Sequence, residues 1–318
     1  MINVALIGAR GYVGIELIQL IDKHPIAQLV AAYSREYVGK KVCEIVDSFT
    51  DKQLRYCDDE LETIHHLNVD VLFLALPNDI AFKHKDQWQQ MSHDTCIIDL
   101  SSDFRFDDKW TYGQPETCAN NIIGQNLIAN PGCYATAAQL GLIPIKDNID
   151  GAPNIFGVSG YSGAGSKPNN NNNPEKLNDN LMAYKLVNHI HENEISRVLD
   201  KEVHFMPHVA EFFRGIHLTV SINLKETMEI HEIINTYNNA YISFEFIKVM
   251  NKIPEVQNVQ KTHNVNIGGF VLKNKHLVFC VTIDNLLKGA ATQAIQNMNL
   301  SLSEKYNLKI NTGLINDK

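Results

Sequence analysis

Residues 2–7, INVALI, form an unbroken apolar and largely β-branched run that stops at Gly8, and beyond GARGYVG the apolar residues of ELIQLIDKH recur at helical spacing. The change of period predicts a strand, a glycine turn and a helix. Further short apolar runs at Ala27 to Tyr33, Val69 to Leu76 and Cys96 to Leu100 are each bounded by polar or proline-containing segments. Strands alternating with helices in this way predict a doubly wound parallel sheet, an α/β architecture of the Rossmann type.

After about residue 150 the texture changes. HLTVSINL (217–224) and LVFCVTI (277–283) are amphipathic rather than uniformly apolar, which predicts an α+β unit around a largely antiparallel or mixed sheet. The expected division is a dinucleotide domain over 1–132, completed by a C-terminal segment over 284–318, and a second domain over 133–283. That segment opens on DNLLKGAATQAIQNMN (284–299), which places Leu287, Ala291, Ala294, Ile295 and Met298 along one side of a helix, with Asp284 or Asn285 as its cap. The tract SKPNNNNNPEKLNDN (166–180) is polar and bracketed by prolines, and reads as a mobile surface loop. No internal repeat suggests a solenoid or propeller.

With 318 residues, 44% hydrophobic and 20% charged, the chain can bury the cores of two ordinary domains. A net charge of -8 and a pI near 5.9 argue against nucleic acid or a membrane surface as the main partner, while leaving room for a local basic pocket. No run of 18 or more apolar residues suggests a membrane span, and the direct entry into the first strand makes the cytoplasm the expected location. The six cysteines (43, 57, 96, 118, 133, 280) are scattered, as reduced thiols are. His204 and His208 have i, i+4 spacing, but Pro207 between them disfavours a helix and no further ligand motif accompanies them, so no metal is expected.

Two stretches carry chemistry. Gly8, Gly11 and Gly14 lie between the first strand and first helix, where glycine lets the backbone approach a pyrophosphate and the helix dipole favours its charge; the plainer reading is a tight turn. At the end of the second strand, where an NAD enzyme usually carries an acid, stands Tyr33-Ser34-Arg35. A hydroxyl and a guanidinium suit a 2′-phosphate, favouring NADP over NAD, although Glu36 follows and Arg35 could simply be an exposed arginine.

The second stretch is Asn130-Pro131-Gly132, a turn sequence that leads into a good helix and so puts Cys133 in a first helical turn. That position lowers a thiol's pKa, and the free amides can hold an oxyanion; the alternative is a small buried hydrophobe. A nucleophilic thiol beside an NADP domain points to an oxidoreductase of aldehydes or acyl phosphates working through a thioester. Arg105 follows the strand ending near Leu100, at the carboxyl edge where such sheets bind ligands, and competes with an ordinary ion-pair role toward Asp103 or Asp107.

GARGYVG, DLSSDFR, NPGCYATAAQL, SGYSGAG, HIHENEI, FMPHV with RGI, and DNLLKGAATQAIQ occur in this order. Together they resemble the N-acetyl-γ-glutamyl-phosphate reductases of arginine biosynthesis across nearly the whole chain. Aspartate-semialdehyde and glyceraldehyde-3-phosphate dehydrogenases are the wider relatives. The resemblance implies NADPH-dependent reduction of N-acetyl-γ-glutamyl phosphate to N-acetylglutamate 5-semialdehyde and phosphate, with Cys133 forming the thioester. It implies His189 as proton carrier with His191 as the fallback, either of which could instead be structural; the family's usual basic residue and proline in this segment are Ile190 and Asn193 here.

For the cofactor it implies Gly8, Arg10, Gly11, Tyr12, Val13, Gly14, Ser34, Arg35, Ser162, Gly163 and Asn285, the last also explicable as a helix cap. For the substrate it implies Ser102, Arg105, Asn130 and Arg214. Gly289, inside a helical stretch, suggests close packing against something. A homodimer or homotetramer is the expected assembly. The competing readings are a sister acyl-phosphate reductase, such as one acting on aspartyl phosphate, and an inactive NADP-binding sensor.

Overall fold

The computed structural model describes residues 1–58 and 67–316. They divide into two compact units, Met1–Pro131 with Ala290–Ile315, and Gly132–Gly289 with the chain from Asn316.

The first unit is built on β1 (Ile2–Ile7), β2 (Ala27–Tyr33), β3 (Tyr56–Cys57), β4 (Val71–Leu74), β5 (Cys96–Asp99), β6 (Thr111–Tyr112) and β7 (Leu127–Ala129). They form one sheet in the order β3-β2-β1-β4-β5-β7-β6, and every neighbouring pair is parallel. The first two apolar runs of the sequence coincide with β1 and β2. Because the chain winds from β1 to β2 on one side and resumes at β4 on the other, the strand order reverses at the carboxyl ends of β1 and β4, the usual place for a ligand in such sheets. Buried Ala5, Ile7, Leu72, Leu74, Ile97 and Trp88 fill one face, where Phe104 stacks on Trp110 at 4.0 Å between ring centres.

The second unit carries β8 (Ile149–Gly160), β9 (Leu181–Ala183), β10 (His204–Ala210), β11 (Ile216–Leu224), β12 (Ile247–Met250), β13 (Val265–Lys273) and β14 (His276–Ile283), in the order β12-β13-β14-β11-β8-β10-β9. The sheet is mixed: β8 with β10 and β12 with β13 are parallel, and the other pairs are antiparallel. β11 alternates buried residues with half-buried or exposed ones, as a sheet covered on one side requires. Its buried set packs with residues of the helices Cys133–Leu142, Ile190–Leu199 and Ile230–Tyr241 in one core.

Three expectations are corrected. Residues 284–289 belong to the second unit rather than the first, because the buried side chains of Asp284 and Asn285 are hydrogen-bonded to Arg214, Gly215 and Ser162 of that unit. The final helix does not run evenly from 284: a π-turn over Leu287–Ala291 precedes the α-helix Thr292–Ser301. The asparagine-rich tract has structure of its own. Asn169 and Asn172 form a reciprocal capping box around a short turn, Asn173 caps the helix Pro174–Leu177, and Leu177 is buried. Polar side chains there satisfy their own backbone, which composition alone does not reveal. Among the described residues no helix is long and apolar enough to cross a membrane.

Candidate active site

The glycine turn of the first unit is shaped by what its side chains would obstruct. Gly8 has φ +86°, and a Cβ there would overlap the carbonyl of Ala75 at the end of β4. A Cβ on Gly14 would lie 2.5 Å from the Gly8 carbonyl oxygen and 2.9 Å from Ala9, so the helix starts hard against the turn. Gly11 is the N-cap of Tyr12–Lys23; no side chain caps this end and its first turn, Tyr12 to Gly14, holds no acid. The cradle therefore fits a phosphate group at a helix start.

At the end of β2, Ser34 is buried and its Oγ has no hydrogen-bond partner among the described residues. A buried hydroxyl left this way fits a polar ligand group arriving beside it. The Arg10 guanidinium pairs with Glu36 at 2.7 Å, so the carboxylate that follows Ser34 and Arg35 is neutralised from the glycine turn itself. Arg35 is exposed.

Arg105 is buried, and donates from Nε to the Asn130 carbonyl at 3.0 Å and from Nη2 to the Leu100 carbonyl at 3.1 Å. It thus fixes the turn three residues ahead of Cys133. Asp103 instead accepts the amides of Asp79 and Phe82. Asn130 is fully engaged, its Nδ2 donating to Ala290 and its Oδ1 accepting from Asn297. The Ser102 amide donates to Asn78. Nearby Asp99, entirely buried, has its carboxyl pushed up to about 6 by burial, against the hydrogen bonds of Ser101 and the charge of Arg105.

Cys133 is the first residue of its helix and half-buried, while the nine residues that follow it in the helix are all buried. Two contacts fix it. The amide of its N-cap, Gly132, donates at 3.0 Å to Oε2 of Glu194, a carboxylate buried on the helix Ile190–Leu199. On another side stands Gly289, where a Cβ would lie 2.7 Å from the Cβ of Cys133. Burial pushes the phenols of Tyr134 and Tyr184 up, and the neighbouring charge of Cys133 pushes in the same direction.

Both histidines flank Tyr134, with ring centres at 6.4 Å for His189 and 5.8 Å for His191. His189 is the N-cap of its helix: Nδ1 accepts the amide of His191 at 3.2 Å. Burial, reinforced by the charge of Lys185, depresses its pKa to about 4, so the ring is neutral and carries its proton on Nε2. His191 is less enclosed, with Nε2 3.8 Å from Glu194 Oε1.

Ser162 and Asn285 are joined, Nδ2 to Oγ at 2.9 Å, and Asn285 Oδ1 accepts the Gly215 amide, so Asn285 clamps the SGYSGAG loop to β11's approach rather than capping a helix. Asp284 does the capping, accepting the amides of Leu286 and Leu287. A Cβ on Gly163 would come within 3.0 Å of Ser159 Oγ. Arg214, expected to bind an anion, holds Asp284 in a bidentate pair at 2.7 and 3.0 Å. His204 and His208 lie on β10, and the described residues contain no cluster of three potential metal ligands. Sequence reasoning missed Glu194 as an anchor. It is buried on the helix that also buries Ile195 and Leu199, and no local pattern marks it out.

Residues 3–125 match the semialdehyde dehydrogenase NAD-binding domain, and residues 133–285 match the semialdehyde dehydrogenase dimerisation domain. The chain is 46% identical over 302 residues to N-acetyl-gamma-glutamyl-phosphate reductase of Xanthomonas campestris pv. campestris (strain B100), covering 94% of this chain and 95% of that protein. The chain belongs to the N-acetyl-gamma-glutamyl-phosphate reductase family. It is also 47% identical over 311 residues to protein arg-6, mitochondrial, of Neurospora crassa, but spans only 35% of that longer protein. Among solved structures, aspartate semialdehyde dehydrogenase II of Vibrio cholerae in complex with ASA superposes with a TM-score of 0.78 over 96% of this chain and 99% of that one. At 18% identity this shows that the reductase family and that dehydrogenase share a fold.

Proposed function

We propose that the chain reduces N-acetyl-γ-glutamyl phosphate to N-acetylglutamate 5-semialdehyde and phosphate, the third step of arginine biosynthesis, with NADPH as the reductant. The observation that carries this reading is Cys133: a half-buried thiol at an uncapped helix start, next in the chain to Gly132, whose amide the buried Glu194 accepts, and to Tyr134, which His189 and His191 flank.

The Cys133 thiolate attacks the acyl carbon, the C–O bond to phosphate breaks, and a thioester forms. NADPH, when bound, supplies the hydride that reduces the thioester carbon. The resulting thiohemiacetal oxyanion collapses, expelling the thiolate and releasing the aldehyde. His189 presents its Nε2–H as a hydrogen-bond donor to the developing oxyanion, since its Nδ1 already accepts the His191 amide. That leaves the proton-carrier role to His191, whose Nε2 lies 3.8 Å from Glu194 Oε1. Arg105 and Asn130 act by holding the turn before Cys133.

For the cofactor, Gly8, Gly11 and Gly14, with the helix start at Tyr12 and Val13, receive the pyrophosphate, and Ser34 with Arg35 receives the 2′-phosphate. The Arg10–Glu36 pair supports NADPH over NADH, because Glu36 is already neutralised. The matched dimerisation domain supports self-association, as a homodimer or homotetramer.

The decisive assay runs in reverse, following NADP reduction with N-acetylglutamate semialdehyde and phosphate, and with aspartate semialdehyde for comparison. Cys133→Ser is expected to lower turnover by a factor on the order of 10^4 or more. Survival of activity would sink the thioester route, and a preference for aspartate semialdehyde would sink the substrate assignment. Arg35→Ala is expected to weaken NADPH binding by about tenfold with NADH binding unchanged, read by titrating both cofactors.

A further inference from the structure

We propose that the buried Arg214–Asp284 pair is a positioning device for Cys133, acting through the π-turn that carries Gly289. The inference rests on the reading of Cys133 as nucleophile. Asp284 has no exposed surface, and its carboxylate accepts five hydrogen bonds within the second unit. Oδ2 takes Arg214 Nε at 2.7 Å and the Lys261 amide at 2.7 Å. Oδ1 takes Arg214 Nη2 at 3.0 Å and the amides of Leu286 and Leu287 at 2.9 and 3.1 Å. A buried ion pair satisfied so fully is rigid, and losing one partner would strand the other charge.

The backbone of the same residue makes the next link. The Asp284 carbonyl accepts the Gly289 amide at 2.9 Å, an i to i+5 bond that opens the wide turn of Leu287–Ala291. Such turns insert an extra residue and recur at functional sites. Here the extra residue sets Gly289 against the nucleophile. A Cβ on Gly289 would lie 2.7 Å from Cys133 Cβ, 3.3 Å from Cys133 Cα and 3.2 Å from the Asp284 carbonyl oxygen, so neither the turn nor the cysteine has room to shift toward the other. Asn285 adds a brace, holding the Gly215 amide next to Arg214 and the Ser162 hydroxyl.

The links run Arg214, Asp284, Gly289, Cys133, all inside one unit. With Glu194 fixing Gly132 from another side, the sulfur's attachment point is set by two buried carboxylates, neither of which needs to touch substrate. This assigns Arg214 the role of orienting Asp284, in place of the expected role in binding an anion.

The test uses the full-length protein and three variants: Asp284→Asn, Arg214→Lys and Gly289→Ala. It measures turnover, cofactor affinity, melting temperature, and the rate of Cys133 alkylation by iodoacetamide mapped by mass spectrometry. Asp284→Asn and Gly289→Ala are each expected to lower kcat by about 100-fold and to change the Cys133 alkylation rate, with cofactor affinity unchanged. Arg214→Lys keeps the charge but loses the fork, and should fall between these variants and the wild type. Folded variants whose Cys133 alkylates at the wild-type rate, with only the melting temperature lowered, would overturn the inference. Should Asp284→Asn fail to fold, Gly289→Ala decides by the same readout. Wild-type Cys133 reacting no faster than the exposed Cys57 would instead overturn the reading of Cys133 as nucleophile.

Discussion

The helices Tyr12–Lys23 and Cys133–Leu142 begin almost identically. Each follows a glycine N-cap in extended conformation, Gly11 at φ -66°, ψ 160° and Gly132 at φ -73°, ψ 151°, and neither receives a side-chain cap bond or carries an acid in its first turn. What surrounds them differs. At the first, side chains are kept away: Gly8 and Gly14 close the turn on backbone alone. At the second, partners distant in sequence crowd in: Glu194 takes the Gly132 amide, Gly289 abuts Cys133, and two histidine rings flank Tyr134. A helix start offers partial positive charge anywhere. Whether it receives a ligand or seats a nucleophile is decided by what long-range packing brings to it.

The comparison can be broken most severely at the first start. Gly8→Ala forces a Cβ into the Ala75 carbonyl at a positive φ, and is expected to cost about 2–5 kcal/mol in urea unfolding and to abolish cofactor binding. A variant with wild-type stability would show that the cradle is not closed by backbone contact.

Next comes the second start. Glu194→Ala strands the buried Gly132 amide and should cost about 1–3 kcal/mol, whereas Glu194→Gln keeps an acceptor and should recover most of the stability but not the activity. Equal turnover in wild type and Glu194→Gln would remove the carboxylate from any partnership with His191.

The pH dependence sharpens the contrast. Above pH 6.5 His189 is neutral in both folded and unfolded chains and costs the fold nothing; between 6.5 and about 4 the unfolded chain binds a proton that the buried ring resists, so stability falls on acidification. Asp99 in the first unit has the opposite sign. Raised from 3.8 to about 6, it binds its proton more readily in the fold, and so favours the folded chain as pH falls through that window. Urea unfolding at pH 7 and pH 4.5 should therefore show a smaller acid loss in His189→Gln than in the wild type; equal losses would show that this ring is not the acid-sensitive group. The smallest effect belongs to Gly11→Ala. Its φ is ordinary and its Cβ would meet only the Gly8 carbonyl at 3.5 Å, so the cost in urea unfolding should be under about 1 kcal/mol, and a larger loss would show that the turn is closed at Gly11 too.

The elements legible in the sequence were those governed by local pattern. INVALI and AQLVAAY mark β1 and β2 because strands buried on both faces read as apolar runs. Cys133 was visible because a Pro-Gly turn and an alanine-rich helix adjoin it. What stayed hidden depends on distance: Glu194 meets Gly132 across 62 positions, and Asp284 meets Arg214 across 70, with nothing local to announce either contact. The pairing of Arg214 with Asp284 was out of reach because sequence supplies the cation without its counterion. The asparagine tract read as featureless because residues that usually avoid regular structure can also build turns by capping one another.

Gly289 carries a consequence for heredity. Every single-base missense change of a glycine codon introduces a side chain, and each such side chain would begin with a carbon placed 2.7 Å from Cys133 Cβ. Position 289 therefore has no neutral neighbour in the genetic code, so the cysteine's seat is guarded at a second locus more than 150 residues away.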